Sequence, residues 1–153
     1  MRKLCIRVNG EQIAPEIKNG YCAITRAWQD GDKVEVLFDM PPRRIYANPL
    51  VCSAAGQAAI ARGPIIYCIE GADNGRDLSC LRLPRESTLR AAEYDDALLG
   101  GVVAIEADAI RETPTASLYQ EAAPQSESVT LRAIPYYAWS NRGENEMRVF
   151  IRE

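Results

Sequence analysis

Histidine is absent from this chain of 153 residues. Because histidine is the commonest general base near neutral pH, its absence excludes a Ser-His-Asp or Cys-His nucleophile built from this chain alone. The five cysteines are irregularly spaced and include no Cys-x-x-Cys pair, which argues against a zinc ribbon or a thioredoxin-like site. We therefore expect buried, reduced thiols and the reducing environment of the cytoplasm.

Long apolar runs and a strong excess of one charge are also missing. No apolar run approaches the roughly 20 residues that a membrane-spanning helix needs. The net charge of -3 provides no basic surface for nucleic acid. The sequence therefore predicts a protein that binds neither membranes nor nucleic acid. Its 47% hydrophobic and 25% charged residues are typical of an ordinary globular domain.

Helical periodicity is almost absent, and short alternating segments replace it. Residues 33–40 form the clearest strand pattern, and a strand is also expected at residues 21–28. Asn9-Gly10 is typical of a tight hairpin, because both central positions of that turn need positive φ. The pattern predicts an all-β fold, an antiparallel β-sandwich of jelly-roll type, with at most one short helix at residues 93–99. The length predicts one domain spanning residues 1–153.

Aromatic side chains crowd the C-terminal region after a predicted strand. Tyr136, Tyr137 and Trp139 are followed by Asn141 and Arg142. Flat rings stack against sugars while polar neighbours bind hydroxyls, so these five residues are the candidate binding site. The alternative is that the rings fill the sandwich core or pack against another domain. In an extended chain Tyr136 and Tyr137 would point to opposite faces, so at most part of the cluster would form one platform.

Acidic residues are numerous, with 21 Asp plus Glu, but their spacing singles out no catalytic pair. Asp30-Gly31-Asp32 lacks the spaced oxygens of a calcium loop, because a strand follows immediately, and we expect a turn. Asp73, Asn74 and Asp77 could surround a cation, although a simple turn explains them equally well. The sequence thus predicts no catalytic residue and no metal site.

Three runs carry a resemblance to a known family. They are GYCAITRAWQDGDKVEVLFDM at residues 20–40, IARGPIIYCIEGADN at residues 60–74 and IPYYAWSNRGENEMRVFI at residues 134–151. All three resemble, in the same order, the beta-L-arabinofuranosidase-like enzymes of glycoside hydrolase family 127. The resemblance implies β-sandwich domains that follow a catalytic helical barrel, of which this chain contains no counterpart. It also implies a zinc ion and a cysteine nucleophile in that barrel, so no such role is carried onto this chain.

The resemblance therefore predicts the C-terminal fragment of a longer enzyme, itself without catalytic activity. Its expected partner is the N-terminal catalytic helical barrel, on which it would pack and which it would stabilise, or a second copy in a homodimer. The alternative is a carbohydrate-binding module for arabinose-containing glycans. An autonomous hydrolase is the least favoured hypothesis. A sub-boundary at residues 71–79, between parts of two sandwiches, is an open alternative to a single domain.

Overall fold

The computed structural model describes residues 4–14 and 16–153, and the chain divides into two units, Met1–Met40 and Pro41–Glu153. The division falls between Met40 and Pro41, one residue before the first strand of the second unit begins at Pro42. Residues 71–79 lie inside the second unit. None of the helices in the described part of the chain is long and apolar enough to cross a bilayer.

The first unit consists of short strands joined by tight turns. Its strands are β1 (Leu4–Val8), β2 (Glu11–Ile13), β3 (Glu16–Lys18), β4 (Tyr21–Ala23) and β5 (Val34–Phe38). Antiparallel pairing gives the order β2-β1-β5, and β3 pairs with β4. Asn9 and Gly10 have φ of 53° and 83°, as the predicted hairpin turn requires. Residues 1–3 lie outside the described residues.

The strand predicted at residues 21–28 is too long, since β4 ends at Ala23. Beyond it the chain makes local side-chain contacts instead of ladder bonds. The Arg26 guanidinium lies 5.3 Å from the Trp28 ring centroid and 3.8 Å from a carboxylate oxygen of Asp32. Asp32 also accepts hydrogen bonds from Asn9 and from the Gln29 backbone, and these bonds lower its pKa. The turn predicted at Asp30-Gly31-Asp32 is therefore confirmed.

The second unit contains nine strands and one short helix. They are β6 (Pro42–Ile45), β7 (Gln57–Arg62), β8 (Ile65–Glu70), α1 (Gly71–Asn74), β9 (Leu81–Arg82), β10 (Arg90–Asp95), β11 (Val102–Glu112), β12 (Ser126–Pro135), β13 (Met147–Arg148) and β14 (Phe150–Arg152). Single 3-10 turns lie at Cys52–Ala54, Leu78–Cys80 and Tyr136–Ala138. The predicted all-β class is confirmed.

Residues 93–99, which the sequence would have allowed to form a short helix, do not form one. Residues 90–95 form β10, which pairs with β11, and the Asp95 carboxylate then accepts hydrogen bonds from the Ala97 and Leu98 backbones. The turn ends at Gly101, whose φ is 105° and which lies against the Tyr94 ring. A Cβ on Gly101 would overlap the Tyr94 hydroxyl, and L residues rarely adopt its positive φ, so glycine suits this reversal best.

Six strands of the second unit close into a ring, in the order β7-β8-β12-β11-β9-β14 and back to β7. All of these pairings are antiparallel except β9 with β14. The side chains inside the ring form the main core, whose larger members are Ile60, Tyr67, Ile69, Leu78, Leu81, Leu83, Ile105, Leu131 and Ile151. A second cluster forms around Cys68, Val102, Ile134 and Ala138. Alternation along β8 sends Tyr67 and Ile69 to the first cluster and Cys68 to the second, which makes β8 a central strand.

Candidate recognition surface

The aromatic segment begins where β12 ends. Pro135 is the last residue of β12 and pairs with Tyr67 of β8, and the chain then turns through Tyr136–Ala138. The strand geometry expected for the two tyrosines is therefore lost. The Tyr136 and Trp139 ring centroids lie 6.3 Å apart, with their planes inclined by 33°. This distance and tilt are typical of favourable aromatic pairs.

All three rings are exposed. The exposed fractions are 44% for Tyr136, 68% for Tyr137 and 38% for Trp139, whereas Ala138 between them is buried in the second cluster. The rings therefore do not fill the core, whereas packing of the rings against another domain stays a prediction. The small Ala138 side chain anchors the turn and leaves the large side chains at the surface. We call these three rings the aromatic patch.

Arg142 secures the segment that follows the aromatic patch. Its Nη2 lies 2.5 Å from Glu70 Oε2 and 2.5 Å from Asp73 Oδ2, while Nη1 donates to Asp73 Oδ1 at 2.8 Å. Its Nε donates to Glu70 Oε2 at 3.2 Å. The second Glu70 oxygen accepts the Ser140 backbone N–H at 2.8 Å. These bonds close the loop onto the end of β8.

Electrostatics in this network favour a permanently charged Arg142. Hydrogen bonding to Asp73, and then to Glu70, raises the pKa of Arg142 above its already high value, although burial acts against this. Glu70 is only 1% exposed. A buried carboxylate requires a cation and hydrogen bonds, and Arg142 together with the Ser140 N–H supplies them. Arg142 therefore fixes the loop and has little hydrogen-bonding capacity left for a ligand.

Asn141 is exposed, but its side-chain amide also forms hydrogen bonds within the loop. The Asn141 Nδ2 donates to the Ala138 carbonyl at 3.0 Å and to the Trp139 carbonyl at 3.4 Å. Of the five candidate binding residues, the three rings thus face outward, while the two polar side chains hold the segment that carries them. Any recognition by this surface rests mainly on the rings.

A cleft of about 630 Å³ lies beside the loop, between α1 and residues 142–146. One of its acidic side chains, Glu146, accepts hydrogen bonds from the backbone. The Glu146 carboxylate accepts hydrogen bonds from Leu78 N at 2.8 Å and from Asp77 N at 3.3 Å. The Asn74 side chain bonds to both the N–H and the carbonyl of Arg132. Over residues 4–14 and 16–153, no three Cys, Asp or Glu side chains form a group that could hold a metal ion.

Cysteine burial differs from the prediction. Cys68 is buried, but Cys22 and Cys52 are exposed, because Cys22 lies on the short β3–β4 hairpin and Cys52 on a surface 3-10 turn. Burial, followed by the nearby Glu70 carboxylate, raises the pKa of the Cys68 thiol to about 12. Cys68 is therefore a neutral thiol at physiological pH, and its sulfur is a poor nucleophile.

We expect iodoacetamide at pH 8 to alkylate Cys22 and Cys52 in the folded protein but to leave Cys68 unmodified. The thiolate is the reactive species, and a pKa of about 12 leaves Cys68 almost entirely protonated. Mass spectrometry of the digested protein measures this selectivity, and full labelling in denaturant is the control. Labelling of Cys68 as fast as Cys52 without denaturant would contradict it.

Glu70 and Asp73 were not expected from the sequence to belong to this surface. Glu70 ends an apolar strand, and its cation is 72 positions further along the chain. A lone acid after an apolar run is the only local signal. Such a signal does not reveal the distant partner.

Two family models match this chain, one for each of its two units. Residues 42–152 match the family model described as glycoside hydrolase family 127 C-terminal domain. Residues 1–40 match the model described as beta-L-arabinofuranosidase, GH127 middle domain. The junction between the matches coincides with the boundary between the two units.

Individual relatives agree with the family models. The non-reducing end beta-L-arabinofuranosidase of Bifidobacterium longum subsp. longum is 38% identical over 154 residues, which cover 96% of this chain and 23% of that protein. A crystal structure of a GH127 beta-L-arabinofuranosidase from Geobacillus stearothermophilus T6 is 46% identical, with a TM-score of 0.83, over 99% of this chain and 24% of that one. A GH127 beta-arabinofuranosidase structure is 36% identical, with a TM-score of 0.83, over 99% and 23%.

The chain thus spans about a quarter of the length of these relatives. The family model covers most of the chain, and the solved structures share its fold at substantial identity. The resemblance noted in the sequence is confirmed: this chain belongs to glycoside hydrolase family 127, and its residues 42–152 form the C-terminal domain of that family.

Proposed function

We propose that this chain is a non-catalytic part of a beta-L-arabinofuranosidase and that it packs on the catalytic helical barrel and stabilises it. The observation that supports this role is the apolar edge of the first unit. Strand β5 lies at the end of the order β2-β1-β5, so one of its sides has no strand partner in the described part of that sheet. Edge strands of this kind usually need covering or charged residues.

Strand β5 carries exposed apolar side chains on both faces. Val36 and Leu37 point in opposite directions, and each is about half exposed. Phe38 at the end of the strand is 70% exposed. An apolar edge with free backbone groups is typical of a surface that another element covers. We propose that the remainder of the parent enzyme packs against β5. A second copy of the chain is the other candidate for this contact.

In this proposal, the catalytic reaction takes place in the part of the enzyme that lies outside this chain. The zinc ion that the family resemblance implies would be held there too, because the described residues form no suitable group of ligands. Hydrolysis of beta-L-arabinofuranosides is proposed for the whole enzyme because its relatives are named for that activity. A cytoplasmic location, expected from cysteine usage, is part of the same proposal.

Glycan binding is the second candidate function, and the exposure of the aromatic patch favours it. The Tyr136 and Trp139 rings form a tilted pair, with Tyr137 beside them. Arg142 and Asn141 would hold this platform in shape while the rings stack against arabinose-containing glycans. The same exposed rings would also suit a protein interface, since tyrosine and tryptophan are enriched there.

The packing role predicts that Phe38→Lys weakens association between this chain and its separately expressed catalytic part. We expect the dissociation constant to rise about tenfold or more, because a charge would enter an apolar contact. Gln12→Lys, on the opposite edge strand β2, is the matched control and should bind like the unmodified chain. Isothermal titration calorimetry measures both affinities.

A different result would favour glycan binding, the second candidate function. Absence of any association, together with glycan affinity that is lost in Trp139→Ala and retained in Trp28→Ala, would contradict the packing role. Trp28 is an exposed tryptophan outside the aromatic patch, so it controls for general loss of aromatic surface.

A further inference from the structure

Three Asn-Gly pairs occur in this chain, at residues 9–10, 19–20 and 74–75. Such a pair is chemically labile, because glycine has no Cβ to hinder attack by its backbone nitrogen on the asparagine side-chain amide carbon. In that attack the glycine nitrogen bonds to Cγ and loses its proton, and the Cγ–Nδ2 bond breaks to release ammonia. Water then opens the resulting succinimide to isoaspartate or aspartate. The fold decides which of the three pairs can react in this way.

Asn74 is held firmly by its surroundings. Its Nδ2 donates to the Glu70 carbonyl at 2.9 Å and to the Arg132 carbonyl at 2.8 Å, while its Oδ1 accepts the Arg132 N–H at 2.9 Å. The attacking nitrogen is occupied as well, because the Gly75 N–H donates to the Gly71 carbonyl at 2.8 Å. Ring closure at this pair would break all of these hydrogen bonds.

Asn9 and Asn19 lie in turns of nearly the same backbone shape. Their φ angles are 53° and 51°, and the glycines that follow have φ of 83° and 82°. The Asn9 side chain is nevertheless held, since Nδ2 donates to Asp32 Oδ1 at 2.7 Å and Oδ1 accepts the Lys33 N–H at 2.8 Å. Asn19 is exposed, and its side chain makes no hydrogen bond to the described part of the chain. Of the three asparagines, Asn19 therefore has the side chain that is most free to rotate.

The hairpin around Asn19 also has little to keep it closed. Among the described strands, β3 and β4 pair only with each other, and every residue of both is exposed. An isolated two-stranded hairpin is marginally stable in water, so it opens more readily than a sheet with a buried face. The Asn9 turn instead belongs to a three-stranded sheet in which Ile6 and Val8 are buried. Opening allows the Gly20 nitrogen to approach the Asn19 amide carbon to the reacting distance of about 3–3.5 Å.

We propose that Asn19 is a site of spontaneous deamidation in the folded protein, with water as the co-reactant. The product carries a negative charge in place of a neutral amide. Isoaspartate also adds one methylene group to the backbone, which does not fit the two-residue turn that pairs Lys18 with Tyr21. Reaction at Asn19 therefore weakens the pairing of β3 with β4.

The test uses the full-length enzyme that contains this chain, incubated in mildly alkaline buffer, digested with trypsin and analysed by mass spectrometry. Cleavage after lysine and arginine puts each Asn-Gly pair on its own peptide, and these peptides span residues 8–18, 19–26 and 63–76. We expect Asn19 to deamidate about tenfold faster than Asn9 or Asn74, because its hairpin opens more readily. The same incubation in denaturant is the control, and there the three rates should be similar.

The variant Asp32→Ala should transfer the reactivity to the first turn. It removes the acceptor of the Asn9 amide, so we expect Asn9 to deamidate faster while the Asn19 rate stays the same. Asp30→Ala removes an exposed carboxylate from the same loop and should change neither rate. If Asp32→Ala unfolds this unit, both rates rise to their values in denaturant, and the unmodified enzyme decides. An Asn19 rate no higher than that of Asn9 in the folded enzyme, or the same ranking in denaturant, would overturn the inference.

Discussion

Replacing Arg142 by methionine should lower the free energy of unfolding by about 3–5 kcal/mol. The loss arises because the Glu70 carboxyl, 1% exposed, would be left buried without its cation, beside a second carboxyl group on Asp73. Equilibrium denaturation in guanidinium chloride, followed by circular dichroism, measures the change. The loop that carries the aromatic patch should also become more sensitive to proteases, because Arg142 joins it to β8 and α1.

Two companion variants separate the buried pair from charge in general. Arg90→Met removes the solvent-exposed pair with Asp108 and should have a much smaller effect, because water screens exposed charges. The double change Arg142→Met with Glu70→Met should recover part of the lost stability, since it leaves no unpaired charge at position 70. If Arg142→Met cost no more than Arg90→Met, the network would be dispensable for folding.

The second large effect is expected in the main core. Ile69→Ala should destabilise the protein by about 2–5 kcal/mol, because it removes buried methyl groups and leaves a cavity inside the ring. Ile69 is fully buried among the strands that close on one another. Ile66→Ala on the same strand is the matched control, since Ile66 is 40% exposed. We expect it to cost about 1 kcal/mol or less.

Denaturation midpoints for these two variants test the strand orientation directly. Both remove the same atoms from β8, so their difference measures burial alone. Equal losses would mean that β8 does not face the core as described. A change in the slope with denaturant, rather than in the midpoint, would indicate an altered unfolded state instead.

Local chemistry made several elements predictable. The Asn9-Gly10 turn follows from positive φ at both positions, and alternation marked β5 and the strand before the aromatic residues, β12. These features depend on neighbouring residues only. The short helix that the sequence allowed at residues 93–99 does not form, because residues 90–95 pair with β11 and the Asp95 side chain then accepts backbone hydrogen bonds in a turn.

The candidate site was only partly predictable. The sequence indicated which aromatic and polar residues cluster near the C-terminus, but not which of them face solvent. The 3-10 turn at Tyr136–Ala138 exposes the rings, and Arg142 and Asn141 are used within the loop. The expectation that most cysteines are buried failed at Cys22 and Cys52 for a similar reason, since burial depends on what packs against a residue.

By itself the sequence determined the all-β class, the principal turns and membership of glycoside hydrolase family 127, because these depend on local periodicity, turn residues and recognisable runs. Only the tertiary structure decided that six strands close into a ring and that Glu70 is buried with Arg142. Burial and charge pairing are set by residues far apart in the chain, 72 positions in the case of Glu70 and Arg142. Such contacts exist only once the fold brings their two ends together.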